Sequence, residues 1–325
     1  ATAEAYPEAA HSATGQALLT AEIYIYGLAE GAITFQAEPT GDFVDGLGIW
    51  TGFGDDVIEI DGTHYRSEVL RTATLLSTGL GNDEVTVDLD TGEDGFFVLN
   101  TQGTYDQFIG TPDESTDWAI DFTDDDQVDA SASTLPQVIF GGYGDDRITG
   151  GTNDDIIFGD RGRVEYLDGS DDIVAVLGDA VLGDFLDGVV VDPVRIFTID
   201  PLIGGQDTVW TPGTDRGDVI IGLTGDDVVF GGVNGDTIDA GEGNNIVFGD
   251  LGLVDFIIDD GDNTDIDLIV STDPDVGGSD TITTGDGDDI IIGGEDGDIV
   301  VNDVVTDPSV ITRTVNGDPV DGDTI

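Results

Sequence analysis

Between Gly141 and Phe158 the apolar residues fall in short clusters separated by glycine and aspartate, and "GGYGDDRIT" is followed at once by "GGTNDDIIF". The unit is nine residues: six turn-forming positions, then a triplet rich in β-branched and aromatic side chains. It returns in register from Gly213 through "GTDRGDVII", "GLTGDDVVF", "GGVNGDTID" and "AGEGNNIVF", and from Asp275 through "DVGGSDTIT", "TGDGDDIII" and "GGEDGDIVV". The eighth position is apolar throughout, at Ile148, Ile157, Ile220, Val229, Ile238, Val247, Ile282, Ile291 and Val300, and so faces inward. Three-residue strands bury nothing alone and must stack. Two units per coil predict an all-β fold, a flat parallel β-roll (β-solenoid) with an 18-residue turn, interrupted by β-hairpin inserts.

The inserts emerge from a longer period. Residues 138–167 and 228–257 superpose at an offset of 90, each ending its run with "FGD.G.V" before a non-repetitive stretch that returns at "GGQDTV" (204–209) or "GGSDTI" (277–282). "RVEYL" with "VRIFTI", and "LVDFII" with "IDLIVST", read as antiparallel hairpins leaving the roll, and "VVT" with "VITRTV" as a third, from about Asn302 to "DGDTI" at 321–325. Phe140 and Phe158 stand 18 residues apart, as do Phe230 and Phe248, all at the outward ninth position. They predict a phenylalanine ladder covered either by a folded-back insert or by a neighbouring chain.

The domain reading is therefore 1–45, a non-repeat β segment serving as cap or donated strand; 46–131, degenerate repeats through "TGFGDDVIE", "TGLGNDEVT" and "TQGTYDQFI"; 132–203 and 204–276, two repeat blocks each with an insert; and 277–325, a third, truncated block. Closing on the first strand of a new block is what a piece of a longer array would do.

Charge now changes the picture. Asp and Glu number 70 against 8 basic residues, every one arginine, for a formal charge of −62 on 325 residues. Nucleic acid and anionic lipid need the opposite sign, and no apolar run is long enough for membrane insertion. Hydrophobic residues still make up 38%, enough for a core rather than disorder. Cysteine is absent, which removes disulfides and thiolate metal sites. Stacking would place the sixth-position aspartates in columns about 4.8 Å apart along the roll's edges. Such columns call for a hard cation between successive loops, ligated by carboxylates and by carbonyls of the glycine turns, the six to eight oxygens that calcium prefers.

The pattern resembles the GGxGxDxUx nonapeptide of RTX (repeats-in-toxin) proteins. That resemblance implies a roll loaded with several Ca2+ ions, with binding carried over to Asp146, Asp155, Asp218, Asp227, Asp236, Asp280, Asp289 and Asp298, and with Gly142, Gly144, Gly151, Gly225, Gly232, Gly287 and Gly294 shaping the loops. Asn245 and Gln137 occupy sixth positions without a carboxylate, so their sites should be weak or absent. The resemblance also implies type I secretion of an unfolded chain that folds on meeting extracellular calcium.

Other signals are set aside. "RGD" at Arg216–Asp218 uses a sixth-position aspartate, and its match to an adhesion motif reads as coincidence. His11 and His64 are the only histidines, with no HExxH, GxSxG or Walker sequence, and the acids sit at repeat positions, so no enzyme is expected. "DLDTGEDG" (88–95) and "TDDDQVD" (123–129) lack the glycine and glutamate of an EF-hand loop and read as solvated turns or irregular ion sites. The expected protein is a non-enzymatic, calcium-dependent structural module of a secreted bacterial surface or extracellular-matrix protein. The alternatives are a self-assembling fibre subunit, or an adhesin stalk that binds a surface or carbohydrate.

Overall fold

The computed structural model describes residues 23–25, 27, 33–35, 46–52, 54–67, 70–101, 124–167, 173–177, 193–199, 219–258, 266–273, 276–295, 298–302 and 310–311. An antiparallel pair, β1 (Ile23–Ile25) with β2 (Ile33–Phe35), precedes a two-sheet parallel solenoid. Its first sheet holds β3 (Leu47–Trp50), β7 (Thr74–Ser77), β9 (Phe97–Asn100), β11 (Gln137–Phe140), β13 (Ile156–Phe158), β18 (Val228–Phe230), β20 (Ile246–Phe248), β24 (Ile290–Ile292) and β26 (Val310–Ile311), in that order across the sheet. Its second holds β4 (Val57–Ile60), β8 (Glu84–Val87), β10 (Gln127–Asp129), β12 (Arg147–Thr149), β17 (Val219–Ile221), β19 (Thr237–Asp239), β23 (Thr281–Thr284) and β25 (Ile299–Asn302). A short antiparallel pair, β5 (Tyr65–Ser67) with β6 (Leu70–Arg71), lies between β4 and β7 in the chain.

The chain alternates between the sheets, two strands per coil, which is the roll expected from the nine-residue period. Every eighth-position residue is in the core between the sheets, from Ile148 and Ile157 to Ile291 and Val300. The degenerate half continues it: Val85 and Val128 align with Ile148 across β8, β10 and β12, and Leu76 and Leu99 align with Ile139 across β7, β9 and β11. "TDDDQVD" is thus no isolated turn, because Asp126 takes a sixth position and Val128 the inward eighth. "TQGTYDQFI" lies beyond Thr101 outside the described residues. Within "DLDTGEDG" the Asp94 carboxylate accepts the amides of Thr63 (2.7 Å) and Asp90 (2.8 Å), making it a turn that closes on protein donors.

Long connections run from a first-sheet strand to the next second-sheet strand: residues 102–123 between β9 and β10, then the stretches after β13 and after β20 that carry the insert strands. The insert strands β14 (Gly162–Leu167), β15 (Ile173–Leu177), β16 (Arg195–Thr198), β21 (Gly252–Asp255) and β22 (Leu268–Ser271) form one antiparallel sheet in the order β15-β14-β16-β21-β22. Both expected hairpin pairings are present, β14 with β16 and β21 with β22. The third expected hairpin is not formed by Val310–Ile311, which pair in parallel with Ile290–Ile291 of β24. Two apolar β-branched residues there extend the first sheet, where the free edge of β24 offers backbone partners.

The insert sheet lies on the outer face of the first roll sheet. Phe140, Phe158, Phe230 and Phe248 are buried there with Val164, Tyr166, Ile196 and Val254 in a second hydrophobic core. The folded-back inserts, rather than a neighbouring chain, therefore cover the ladder. The opposite outer face of the roll is open, with Glu84, Gln127, Arg147, Thr237 and Thr281 exposed along it.

Candidate metal centre

Six positions of turn precede each strand triplet, and among the described residues the sixth-position residues from Asp83 to Asp298 are buried along the roll's edge. In the column beside the second sheet, the amide of Asp56 donates to Asp83 Oδ1 (2.8 Å), Asp83 to Asp126 (2.7 Å) and Asp126 to Asp146 (2.8 Å). Further along, Asp236 donates to Asp280 (2.8 Å) and Asp280 to Asp298 (3.0 Å). The column beside the first sheet runs Gln137 to Asp155 (2.8 Å), Asp155 to Asp227 (2.8 Å), Asp227 to Asn245 (3.0 Å) and Asn245 to Asp289 (3.0 Å). One oxygen of each carboxylate is thereby fixed by the neighbouring coil. Of the expected ligands only Asp218 lies outside the described residues.

The second oxygen is what a cation would meet. Oδ2 of Asp124, Asp227, Asp280 and Asp289 is buried and accepts no hydrogen bond. A buried carboxylate oxygen without a donor is costly unless an ion compensates it. Asp155 differs, its Oδ2 accepting Gly151 N at 2.6 Å. Among the described residues no three carboxylates or imidazoles form a metal-holding cluster, so carbonyl oxygens of the glycine turns must complete any shell. Oxygen donors alone, carboxylate and carbonyl, fit calcium.

At Asn245 an amide takes the carboxylate's place. Its Oδ1 takes the same place in the column, while its Nδ2 faces the carbonyls of Gly241 (3.3 Å) and Gly243 (3.5 Å) as a donor. Carbonyls that a cation could draw on are satisfied by an amide instead.

The glycines serve two purposes. Gly142, Gly144, Gly225, Gly232 and Gly294 have φ between 97° and 136°, the left-handed region that side chains avoid. Gly151 and Gly287 do not, and are small for lack of room: a Cβ on Gly151 would stand 2.9 Å from Ser133 O, and one on Gly287 would run into Gly243 O. A third set went unnoticed in the sequence. The first-position glycines face the sixth-position carboxylate of their own unit, and a Cβ on Gly150 or Gly222 would fall 2.7 or 2.6 Å from Oδ2 of Asp155 or Asp227.

Each "FGD.G.V" also proves to be a built junction. Gly249 packs on Asp280 Oδ2, so the insert is spliced into a nonapeptide whose first glycine precedes it and whose aspartate follows it. Asp250, buried, accepts Gly278 N (2.9 Å) and Glu295 N (2.5 Å), and Asp160 accepts Val233 N (2.5 Å). The repetition of the motif 90 residues apart was the signal that could have found them. Arg195 ties the inserts together, with Nε on Asp255 at 2.7 Å and Nη1 on Glu165 at 3.4 Å, and those contacts hold its pKa up, the Asp255 hydrogen bond first.

Burial pushes Asp124 and Asp155 up to about 7, and Asp227 and Asp250 up to about 8, from an ordinary 3.8. Burial raises Asp83, Asp126 and Asp280 too, and nearby carboxylates add to it. A folded-state pKa above the unfolded value means the fold binds the extra proton. That stability is fully present below about pH 4 and is lost as pH rises through about 7 to 8. In excess chelator the β-signal in circular dichroism is therefore expected to grow as pH falls from about 8 to about 5, protons standing in for cations. No growth would mean the buried carboxylates do not oppose folding.

A family model, the RTX calcium-binding nonapeptide repeat, matches the chain in four copies, over residues 137–163, 212–247, 235–252 and 276–303. No curated protein and no solved structure matches it. Repeats of this kind bind several calcium ions, and the matched stretches hold the column residues from Gln137 and Asp146 onward, not Asp56, Asp83 or Asp126.

Proposed function

We propose that this chain, a calcium-binding β-roll of RTX repeats, is a non-catalytic structural module of a secreted bacterial surface or extracellular-matrix protein that folds on meeting calcium outside the cell. The observation that carries the reading is that Oδ2 of Asp227, Asp280 and Asp289 is buried with no protein donor. Asp146, Asp155, Asp218, Asp227, Asp236, Asp280, Asp289 and Asp298 would supply the carboxylates, and the glycine loops the carbonyls. When bound, calcium neutralises the columns. The chain's own residues do the rest: Oδ1 of each aspartate fixes the next coil's amide, and the first-position glycine leaves room for Oδ2. Export of an unfolded chain into a calcium-rich exterior follows from that linkage, since a site present only in the fold stabilises only where calcium exceeds its dissociation constant. Among the described residues no helix is long and apolar enough to cross a membrane.

Asp227→Asn tests the assignment. The amide keeps the acceptor for Asp155 N, as Asn245 does for Asp227 N, but removes the charge. Calorimetric titration is expected to show at least one fewer calcium bound per chain and a higher calcium midpoint for folding. Unchanged stoichiometry with an intact fold would remove Asp227 from the ligand set. A fibre subunit is the second reading, favoured by Trp50 and Val57 on the edge strands β3 and β4, 41% and 59% exposed.

A further inference from the structure

The family match begins at residue 137, and the ligand pattern GGxGxD is absent from "TDDDQVD". Yet the strongest collection of unsatisfied acid in the described residues lies there. Asp83, Asp124 and Asp126 are 2–3% exposed with Oδ2 of each buried, and Oδ2 of Asp124 has no hydrogen-bond donor. Oδ1 is accounted for in every case: Asp83 accepts Asp56 N (2.8 Å), Asp124 accepts Gly81 N (2.6 Å) and Asp126 accepts Asp83 N (2.7 Å). Burial raises the pKa of Asp83 and Asp126, and the hydroxyls of Thr78 and Thr101 only partly offset it, since both also donate to carbonyls. Thr78 Oγ1 donates to Thr101 O (3.1 Å), and Thr101 Oγ1 to the carbonyls of Phe140 (3.2 Å) and Gly141 (2.6 Å).

Asp124 is the unusual member. It stands two residues before Asp126, the place that Gly81 holds before Asp83 and Gly144 before Asp146, so a carboxylate replaces the fourth-position glycine. Its backbone underlies the next loop, where a Cβ on Gly144 would run into Asp124 O. Burial raises the pKa of Asp124 and Asp126, and the charge of Asp83 adds to both, that of Asp124 to Asp126.

We propose that Asp124 and Asp126, with carbonyl oxygens of the adjoining loops and the charge of Asp83 in the preceding coil, hold a calcium ion in the loop that leads into β10. The inference rests on calcium as the ion of the matched repeats and extends its use to coils the repeat pattern does not cover. Two carboxylates from one loop, two residues apart, provide what a single sixth-position aspartate cannot: a dense anionic site that needs fewer carbonyls. Its effect is local. The ion fixes the loop carrying Asp124 and Asp126 against the one carrying Gly81 and Asp83, so β10 docks on β8 although a long connection separates β9 from β10 in the chain.

The test is calcium titration of the whole chain by calorimetry, with magnesium as control, and hydrogen exchange read by strand. For Asp124→Asn/Asp126→Asn, which keeps both Oδ1 acceptors, we expect one calcium fewer than wild type and faster exchange in calcium at β8 and β10, with β18, β20 and β24 unchanged. Should the double variant misfold, Asp124→Gly restores the residue the neighbouring coils carry and is expected to lose the same ion with the roll intact. Wild-type stoichiometry in a folded variant overturns the site. Failure of the wild type to bind calcium at all would overturn the site together with the reading of the matched repeats. A loss of ions confined to β18, β20 and β24 would overturn it alone.

Discussion

Removing calcium is expected to abolish the roll: in excess chelator near neutral pH the far-UV β-signal falls to that of a disordered chain, and it returns on adding calcium but not magnesium. Two like charges 4 Å apart repel by about 1 kcal/mol in water and by ~4 kcal/mol near a protein surface, and this chain carries a formal −62. The folded state gathers part of that charge into buried columns, where every amide-to-Oδ1 bond still leaves oxygens such as Oδ2 of Asp227 and Asp289 uncompensated. Each site that binds only the fold contributes about 4.1 kcal/mol when calcium exceeds its dissociation constant a thousandfold. A few such sites exceed the whole stability of an ordinary domain, roughly 5–15 kcal/mol. Light scattering followed in the same titration separates the two readings of function: folding without growth in scattering supports the solitary module, and growth alongside folding supports the fibre. Persistence of the β-signal in chelator would show that the buried carboxylates are tolerated as they stand, and calcium-driven folding would fail with it.

The roll was legible because its period is strict. An apolar eighth residue, a sixth-position aspartate and glycines between leave a single inward face, and Ile148, Val229, Ile282 and their equivalents all occupy it. The phenylalanine ladder was legible for the same reason, as an 18-residue offset between adjacent coils. The insert sheet was only half visible. Local hairpins announce themselves by adjacent β-rich runs, but the pairing of β16 with β21 joins separate inserts and depends on where successive coils set them down. Asp124 was obscured by its neighbours, since a run of aspartates reads as solvated until a strand register shows which of them point into the edge. Gly162 and Gly252 were likewise visible as letters without a purpose. A Cβ at either would strike the ring of Phe158 or Phe248, so the motif's second glycine is the floor on which the insert crosses the ladder.

That crossing makes the ladder the other point of large effect, and Phe230→Ala is expected to destabilise the calcium-loaded protein by about 3–5 kcal/mol, the usual range for emptying a buried phenylalanine site. Phe230 is fully buried and stacks on both sides, its centroid 4.8 Å from Phe158 at 6° and 4.6 Å from Phe248 at 5°. Deleting it removes two ring contacts at once and leaves a void between the roll and the insert strands, which parallel backbones fixed by their ladders cannot close. Phe140, which among the described residues stacks on one ring, Phe158 at 4.9 Å, should cost less when replaced. The measurement is denaturant unfolding of both variants in saturating calcium, with calcium stoichiometry as control. Stoichiometry should be unchanged, because the rings lie on the outer face of the first sheet and the carboxylates along its edge. A Phe230→Ala variant as stable as wild type would mean that the insert sheet contributes nothing to holding the roll. A variant that keeps its stability but loses self-association would return the ladder to an interface between chains.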